Sequence, residues 1–166
     1  VKQAISNVDI IATIVDATGA PQTGSLDGES LLPLARGDQG AEAAWKDEAF
    51  CEYLAHGVAR PMAMLRRGRY KLNYSLDDPV ELYDLEADPA ELHDLSADSE
   101  HAPIREQLRA ALLVHWNPVT LEQEVRQSQR ERLLIRAALT GQSTEADRRS
   151  WYASGSSVPT TASAAH

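Results

Sequence analysis

Apolar side chains at Val8, Ile11, Ile14 and Val15 recur at helical spacing, which predicts a helix over residues 6–18. Ser6, with Asp9 three residues on, predicts its capped start, and Gly19 followed by Pro21 predicts its end. Across 20–48 the period is lost, and Gly24, Gly28, Pro33, Gly37 and Gly40 punctuate the stretch. It reads as a long surface connection with one apolar anchor, Leu31-Leu32-Pro33-Leu34. From Ala49 the pattern becomes strand-like, with candidates at 49–54, 61–66, 70–75 and 80–83. Tyr70, Leu72 and Tyr74 alternate with Lys71 and Asn73, as in a strand with one buried face. Arg67-Gly68-Arg69 supplies a glycine where a tight hairpin needs a positive φ. Connections this short leave no room for crossover helices, so the pattern predicts an antiparallel meander.

Two helices are predicted further on. Ile104, Leu108, Ala111, Leu112 and His115 form one apolar face over 103–116, with Pro118 as the stop. Thr120 and Gln123 form a capping box for a second helix to about Leu139, followed by Gly141. Arg126, Arg130, Arg132 and Arg136 crowd that helix and its apolar face is poor, so it is expected to pack on another chain or domain. The Ser-, Ala-, Thr- and Gly-rich stretch from Ser154 to His166 predicts disorder. The fold class is therefore α+β: a small antiparallel sheet of about four strands with helices, plus a C-terminal helical arm.

Charge changes the picture in one segment. The 166 residues carry a formal net charge of −9, and ten acids, with no Lys or Arg, fall between Asp77 and Glu100. Asp84, Glu86 and Asp88 alternate as calcium ligands would. However, Pro89 occupies the sixth position where the loop needs Gly, and Leu95 the twelfth where it needs Glu. A solvated acidic turn is the reading that remains. Net negative charge argues against a backbone-reading nucleic-acid binder, and no apolar run approaches the roughly 20 residues of a membrane span. One cysteine precludes an internal disulfide and points to a cytoplasmic setting. Cys51, in an apolar stretch with no base recognisable nearby, reads as a small buried hydrophobe. No phosphate-cradling, dinucleotide, His-Glu-x-x-His or Gly-x-Ser-x-Gly motif occurs, and the five histidines are scattered, His115 as a core residue. Composition and spacing alone show no complete active site.

Three runs of sequence carry a resemblance. They are Phe50-Cys51-Glu52-Tyr53-Leu54, then Pro61 to Lys71 with Arg66-Arg67-Gly68-Arg69-Tyr70-Lys71, then Glu81-Leu82-Tyr83-Asp84-Leu85 with Asp88-Pro89-Ala90-Glu91 and Asp94-Leu95. Together they resemble the C-terminal subdomain of sulfatases, closest to the choline-sulfatase branch. Val8-Asp9-Ile10, Thr13-Ile14-Val15-Asp16 and Asp27-Gly28-Glu29-Ser30-Leu31-Leu32-Pro33-Leu34 are similar to the helix and turn that precede that subdomain. Val125 to Arg130 resembles the branch's C-terminal extension more loosely.

The resemblance implies the C-terminal subdomain of an alkaline-phosphatase-like fold. On it, 1–48 is the end of the catalytic domain, 49–116 the subdomain, 117–150 the helical extension and 151–166 a disordered tail. It implies sulfate-ester hydrolysis by a formylglycine, made in a C/S-x-P-x-R motif, together with a calcium-class divalent ion. Both belong to an N-terminal α/β domain, the expected partner of this chain. Cys51 is followed by Glu52-Tyr53-Leu54-Ala55, so it is not the formylglycine precursor, and the chain is expected to hold no catalytic residue and no metal ligand. By the same resemblance Glu52 faces a quaternary ammonium, which a carboxylate and aromatic faces suit, while Tyr53 points the other way into the core. Trp151, followed by Tyr152, is the second substrate-contact candidate, in a tail that reaches a neighbouring subunit of a homo-oligomer. An arylsulfatase or phosphonic ester hydrolase of the same superfamily, and a stand-alone interaction module, are the alternatives.

Overall fold

The computed structural model describes residues 3–22, 24–54 and 57–140, apart from the side chains of His115 and Thr140. The chain divides into two compact units: residues up to Glu52 with Ala63–Trp116, and Tyr53–Met62 with the chain from Asn117 onward.

The first unit opens with α1, Val8–Thr18, which ends as its sequence predicts: the N–H of Gly19 bonds Asp16 O and that of Ala20 bonds Val15 O. Its start differs from expectation. Asn7 occupies the cap without a side-chain bond, and Ser6 does not cap. Instead the Asp9 carboxylate reaches back, its Oδ2 accepting from Ser6 N at 2.7 Å and its Oδ1 from Glu29 N at 3.0 Å. Only half of the predicted box forms, and the acid is spent on pinning the following loop to the helix. Thr13 Oγ1 continues the joint by accepting from Leu31 N at 2.9 Å. Asp9 is wholly buried there. Gly28 lies so close to α1 that an added Cβ would sit 2.3 Å from Val8 O.

The stretch after α1, expected to be an irregular connection, contains two short helices, α2 (Leu32–Arg36) and α3 (Ala41–Ala44). Pro33 explains the first, because its fixed φ and missing N–H suit a helix's opening turn. Leu34 is the buried anchor. Asp47 then ties the N-terminal segment to the sheet, its Oδ1 accepting from Ala4 N at 2.6 Å and its backbone O from Gly68 N at 2.9 Å.

The sheet is the antiparallel meander that the alternation predicts: β1 (Glu48–Tyr53), β2 (Met62–Arg67), β3 (Tyr70–Ser75) and β4 (Glu81–Asp84), in the order β1-β2-β3-β4. Gly68 (φ 57°) alone takes positive φ in the two-residue turn between β2 and β3, as a type II′ hairpin requires. In the last hairpin Tyr70 pairs with Asp84 and Leu72 with Leu82. Both leucines are fully buried, as is Leu108 on α4 (Ala102–His115), which packs on β3. Each such leucine contributes roughly 1.5–3 kcal/mol, a modest core for a four-stranded sheet. Aromatic contacts close both ends of the α4–β3 packing, with Tyr70 edge-on to His101 at 6.2 Å and Tyr74 edge-on to Trp116 at 5.7 Å.

Two expectations about β1 are corrected. Cys51 is a free, exposed thiol, and Tyr53 is 46% exposed, not core. The cause is position: β1 is an edge strand whose residues from Phe50 on lack cover within the described chain.

In the second unit, α5 (Pro118–Thr140) corrects the reading of Pro118. That proline follows the end of α4 but opens the next helix, at the first position, where a missing N–H costs nothing. The cap is Asn117, whose Oδ1 accepts from Thr120 N at 3.1 Å, so the predicted box at Thr120 and Gln123 lies inside the helix. Glu122 accepts from Arg126 at 2.8 Å and pairs with Arg60, joining the first turns of α5 to the 53–62 segment. Both arginines hold the Glu122 carboxyl below its ordinary value, Arg126 foremost, against the opposing effect of burial. Further along α5, Leu134, Ile135 and Leu139 are exposed. Gly141, Trp151 and the Ser154–His166 stretch lie outside the described residues, as does the His115 side chain. No described helix is long and apolar enough to cross a membrane.

Candidate functional site

β1 and the segment after α4 bring together the residues of chemical interest. Glu52 is exposed on the edge strand, yet its Oε2 accepts from the indole Nε1 of Trp116 at 2.9 Å. Trp116 is 6% exposed and extended in backbone, because α4 ends one residue earlier. Tyr74 holds the indole edge-on from β3. Phe50, two residues before Glu52, shares its strand face and is 41% exposed. The resulting patch is a carboxylate fixed at one oxygen with aromatic surface about it. Trp116 and Tyr74 were not singled out in the sequence as members of it. The signal was slight: a tryptophan just past a helix end, 64 residues from its partner.

Glu52 differs from other carboxylates of the sheet and its connections. Glu48 pairs with Arg67 at 2.6 Å, Glu91 with Lys71 at 2.6 Å, and Asp84 with Arg69. Among the described residues no Lys or Arg pairs with Glu52. Its one donor there is neutral, so the carboxylate is held without its charge being cancelled.

The acidic block is a set of clamps and not merely a solvated turn. Asp84, 6% exposed, takes both Nε (2.8 Å) and Nη2 of Arg69, together with the N–H groups of Glu86 (3.1 Å) and Ala87 (3.3 Å). Arg69 thereby holds the Asp84 carboxyl below the usual range, outweighing the upward push of burial. Asp94 accepts from Leu82 N at 3.0 Å and Ser96 N at 2.8 Å. Burial would raise its carboxyl, but these hydrogen bonds bring it down. Asp98 accepts from Glu100 N at 2.9 Å and contacts His101 Nδ1 at 2.9 Å, which likewise lowers it.

Among the described residues no group of three or more His, Cys, Asp or Glu could hold a metal ion. Cys51-Glu52-Tyr53-Leu54 departs from C/S-x-P-x-R at its third residue. A resident metal or formylglycine therefore does not fit these residues.

The four-stranded meander with its covering helix is the architecture of a sulfatase C-terminal subdomain, within the alkaline-phosphatase-like fold shared by its structural neighbours. Residues 1–117 match the N-sulphoglucosamine sulphohydrolase C-terminal family, and the chain belongs to it. Over 144 residues the chain is 33% identical to the choline-sulfatase of Rhizobium meliloti (strain 1021), which covers 81% of this chain and 26% of that protein. It is 39% identical over 88 residues to arylsulfatase K of Danio rerio, covering 49% of this chain and 16% of that one. A solved 2-O GAG sulfatase superposes with a TM-score of 0.56 at 27% identity, over 72% of this chain and 26% of its own. The chain thus spans about a quarter or less of the length of these relatives.

Proposed function

We propose that this chain is the C-terminal part of a choline-sulfatase, supplying a wall of the substrate pocket while an N-terminal catalytic domain supplies formylglycine and metal. The observation that carries the reading is Glu52: an exposed carboxylate with no described cationic partner, beside aromatic surface. A trimethylammonium group donates no strong hydrogen bond, so it is recognised by an uncompensated negative charge and by aromatic faces. Trp151 is the second proposed contact.

The surface of α1 supports the domain partner. Val8, Ile10, Ile11 and Ile14 are each about half exposed, a concentration of aliphatic surface that a covering domain would bury. The exposed Leu134, Ile135 and Leu139 of α5 are the proposed contact with neighbouring subunits. The free Cys51 thiol fits a cytoplasmic setting.

The test compares choline sulfate with an uncharged aryl sulfate in the full-length protein, with and without Glu52→Gln. Losing the charge should lower kcat/KM for choline sulfate relative to the aryl ester by about tenfold or more. An unaltered ratio would favour the arylsulfatase reading, which the likeness to arylsulfatase K supports. The 166-residue chain alone should hydrolyse neither ester.

A further inference from the structure

We infer that Trp116 is a positioning residue for this site, fixing the Glu52 carboxylate and so setting preference for a sulfate ester whose alcohol bears a quaternary ammonium. The inference rests on the reading of Glu52 given above. A glutamate on an exposed edge strand ordinarily samples several rotamers, and holding it still for a ligand costs side-chain entropy at each binding event. Here that ordering is done in advance. Trp116 is 94% buried, packed edge-on against Tyr74, and carries its N–H to Glu52 Oε2 at 2.9 Å.

The choice of donor matters as much as the geometry. An arginine at this place would orient the carboxylate equally well but cancel the charge that a cation must meet, as Arg69 does for Asp84 and Arg67 for Glu48. An indole N–H is a donor only, bears no formal charge and cannot be deprotonated near neutral pH. The ring face that a quaternary ammonium can meet is that of the exposed Phe50 on the same strand face, since the indole itself is buried. Tyr74, through its contact with the indole, is the support behind Trp116.

The experiment measures kcat/KM for choline sulfate divided by kcat/KM for p-nitrophenyl sulfate in the full-length protein. The variants are Glu52→Gln, Trp116→Phe, the double variant and Glu52→Asp. Trp116→Phe keeps an aromatic ring and removes the N–H. It should lower the ratio by about tenfold, in line with loss of a hydrogen bond to a charged group. The double variant should fall no further than Glu52→Gln alone, because both changes break one unit. A merely structural role would depress both esters together and leave the ratio in place, or give an additive double variant, and either result overturns the inference. Should Trp116→Phe fail to fold, Glu52→Asp decides, since the change is at an exposed position and keeps the charge while drawing it away from the indole. A ratio reduced toward that of Glu52→Gln supports the inference, and a wild-type ratio overturns it. If Glu52→Gln itself keeps the wild-type ratio, the substrate reading fails and the role of Trp116 fails with it. If Glu52→Gln lowers the ratio and Trp116→Phe does not, only the inference about Trp116 falls.

Discussion

Gly28→Ala tests the joint between α1 and the loop that follows it. Gly28 does not take positive φ, so the expected damage is purely one of space. The added Cβ would lie 2.3 Å from Val8 O, 2.5 Å from Val8 C and 2.6 Å from Asp9 N, whereas ordinary contact begins near 3.4 Å. All three atoms are helix backbone and cannot swing aside, so the loop must retreat by about 1 Å. That movement breaks the bond from Glu29 N to the buried Asp9 carboxylate and stretches the one from Leu31 N to Thr13 Oγ1. The first, to a charged acceptor, is worth about 1.5–3 kcal/mol and the second about 0.5–1.5 kcal/mol, which gives about 2–4.5 kcal/mol in all. For a chain of this size that corresponds to a fall in Tm of about 4–18 °C. Thermal unfolding of the 166-residue chain followed by circular dichroism measures it. Asp9→Ala should be sub-additive with Gly28→Ala, because both open the same contact. A Gly28→Ala protein melting within about 1 °C of the parent would refute the reasoning.

Two further outcomes follow from the clamps and caps. Because Asp84, Asp94, Asp98 and Glu122 all have lowered folded pKa values, the unfolded chain takes up protons first on acidification. Their stabilisation is present at neutral pH and is lost as pH falls through the folded values. Urea midpoints should therefore drop below about pH 4, and Asp84→Asn should flatten that decline; a midpoint indifferent to acid would contradict it. Asn117→Ala should cost about 1 kcal/mol at the start of α5, read as helicity lost on heating, while Thr120→Ala should cost less because Thr120 is not the cap.

The strands were legible to within a residue because a period of two and short connections leave few alternatives. Helix ends were less so, for a reason visible at Asn117-Pro118: proline signals both the end of one helix and the first position of the next, and the sequence does not say which. Ser6 and Asp9 show the same ambiguity, since an acid near a helix start can reach back to the cap or outward to a loop. Cys51 and Tyr53 were misplaced because burial on an edge strand depends on what lies over it and not on the strand's own alternation. The acidic block was visible as charge but not as function, since Asp84, Asp88, Asp94 and Asp98 each accept from backbone N–H groups, which leave no mark in composition. Glu52 was legible only through resemblance, and Trp116 not at all, since its contact spans 64 residues.

The order of strands in the sheet has a consequence for how the chain comes to be made. Because β1 to β4 lie side by side in the order of synthesis, each hairpin can close as soon as its second strand is available, with little loop entropy to overcome. Asp84 reaches Arg69 after only 15 residues, so the central clamp is set early. The edge strand is the exception, for Glu52 acquires its partner only when Trp116 has been added. A nascent chain halted between the end of β4 and Trp116 would hold a formed β-meander whose Glu52 still lacks its indole partner, and the residue that follows α4 supplies it.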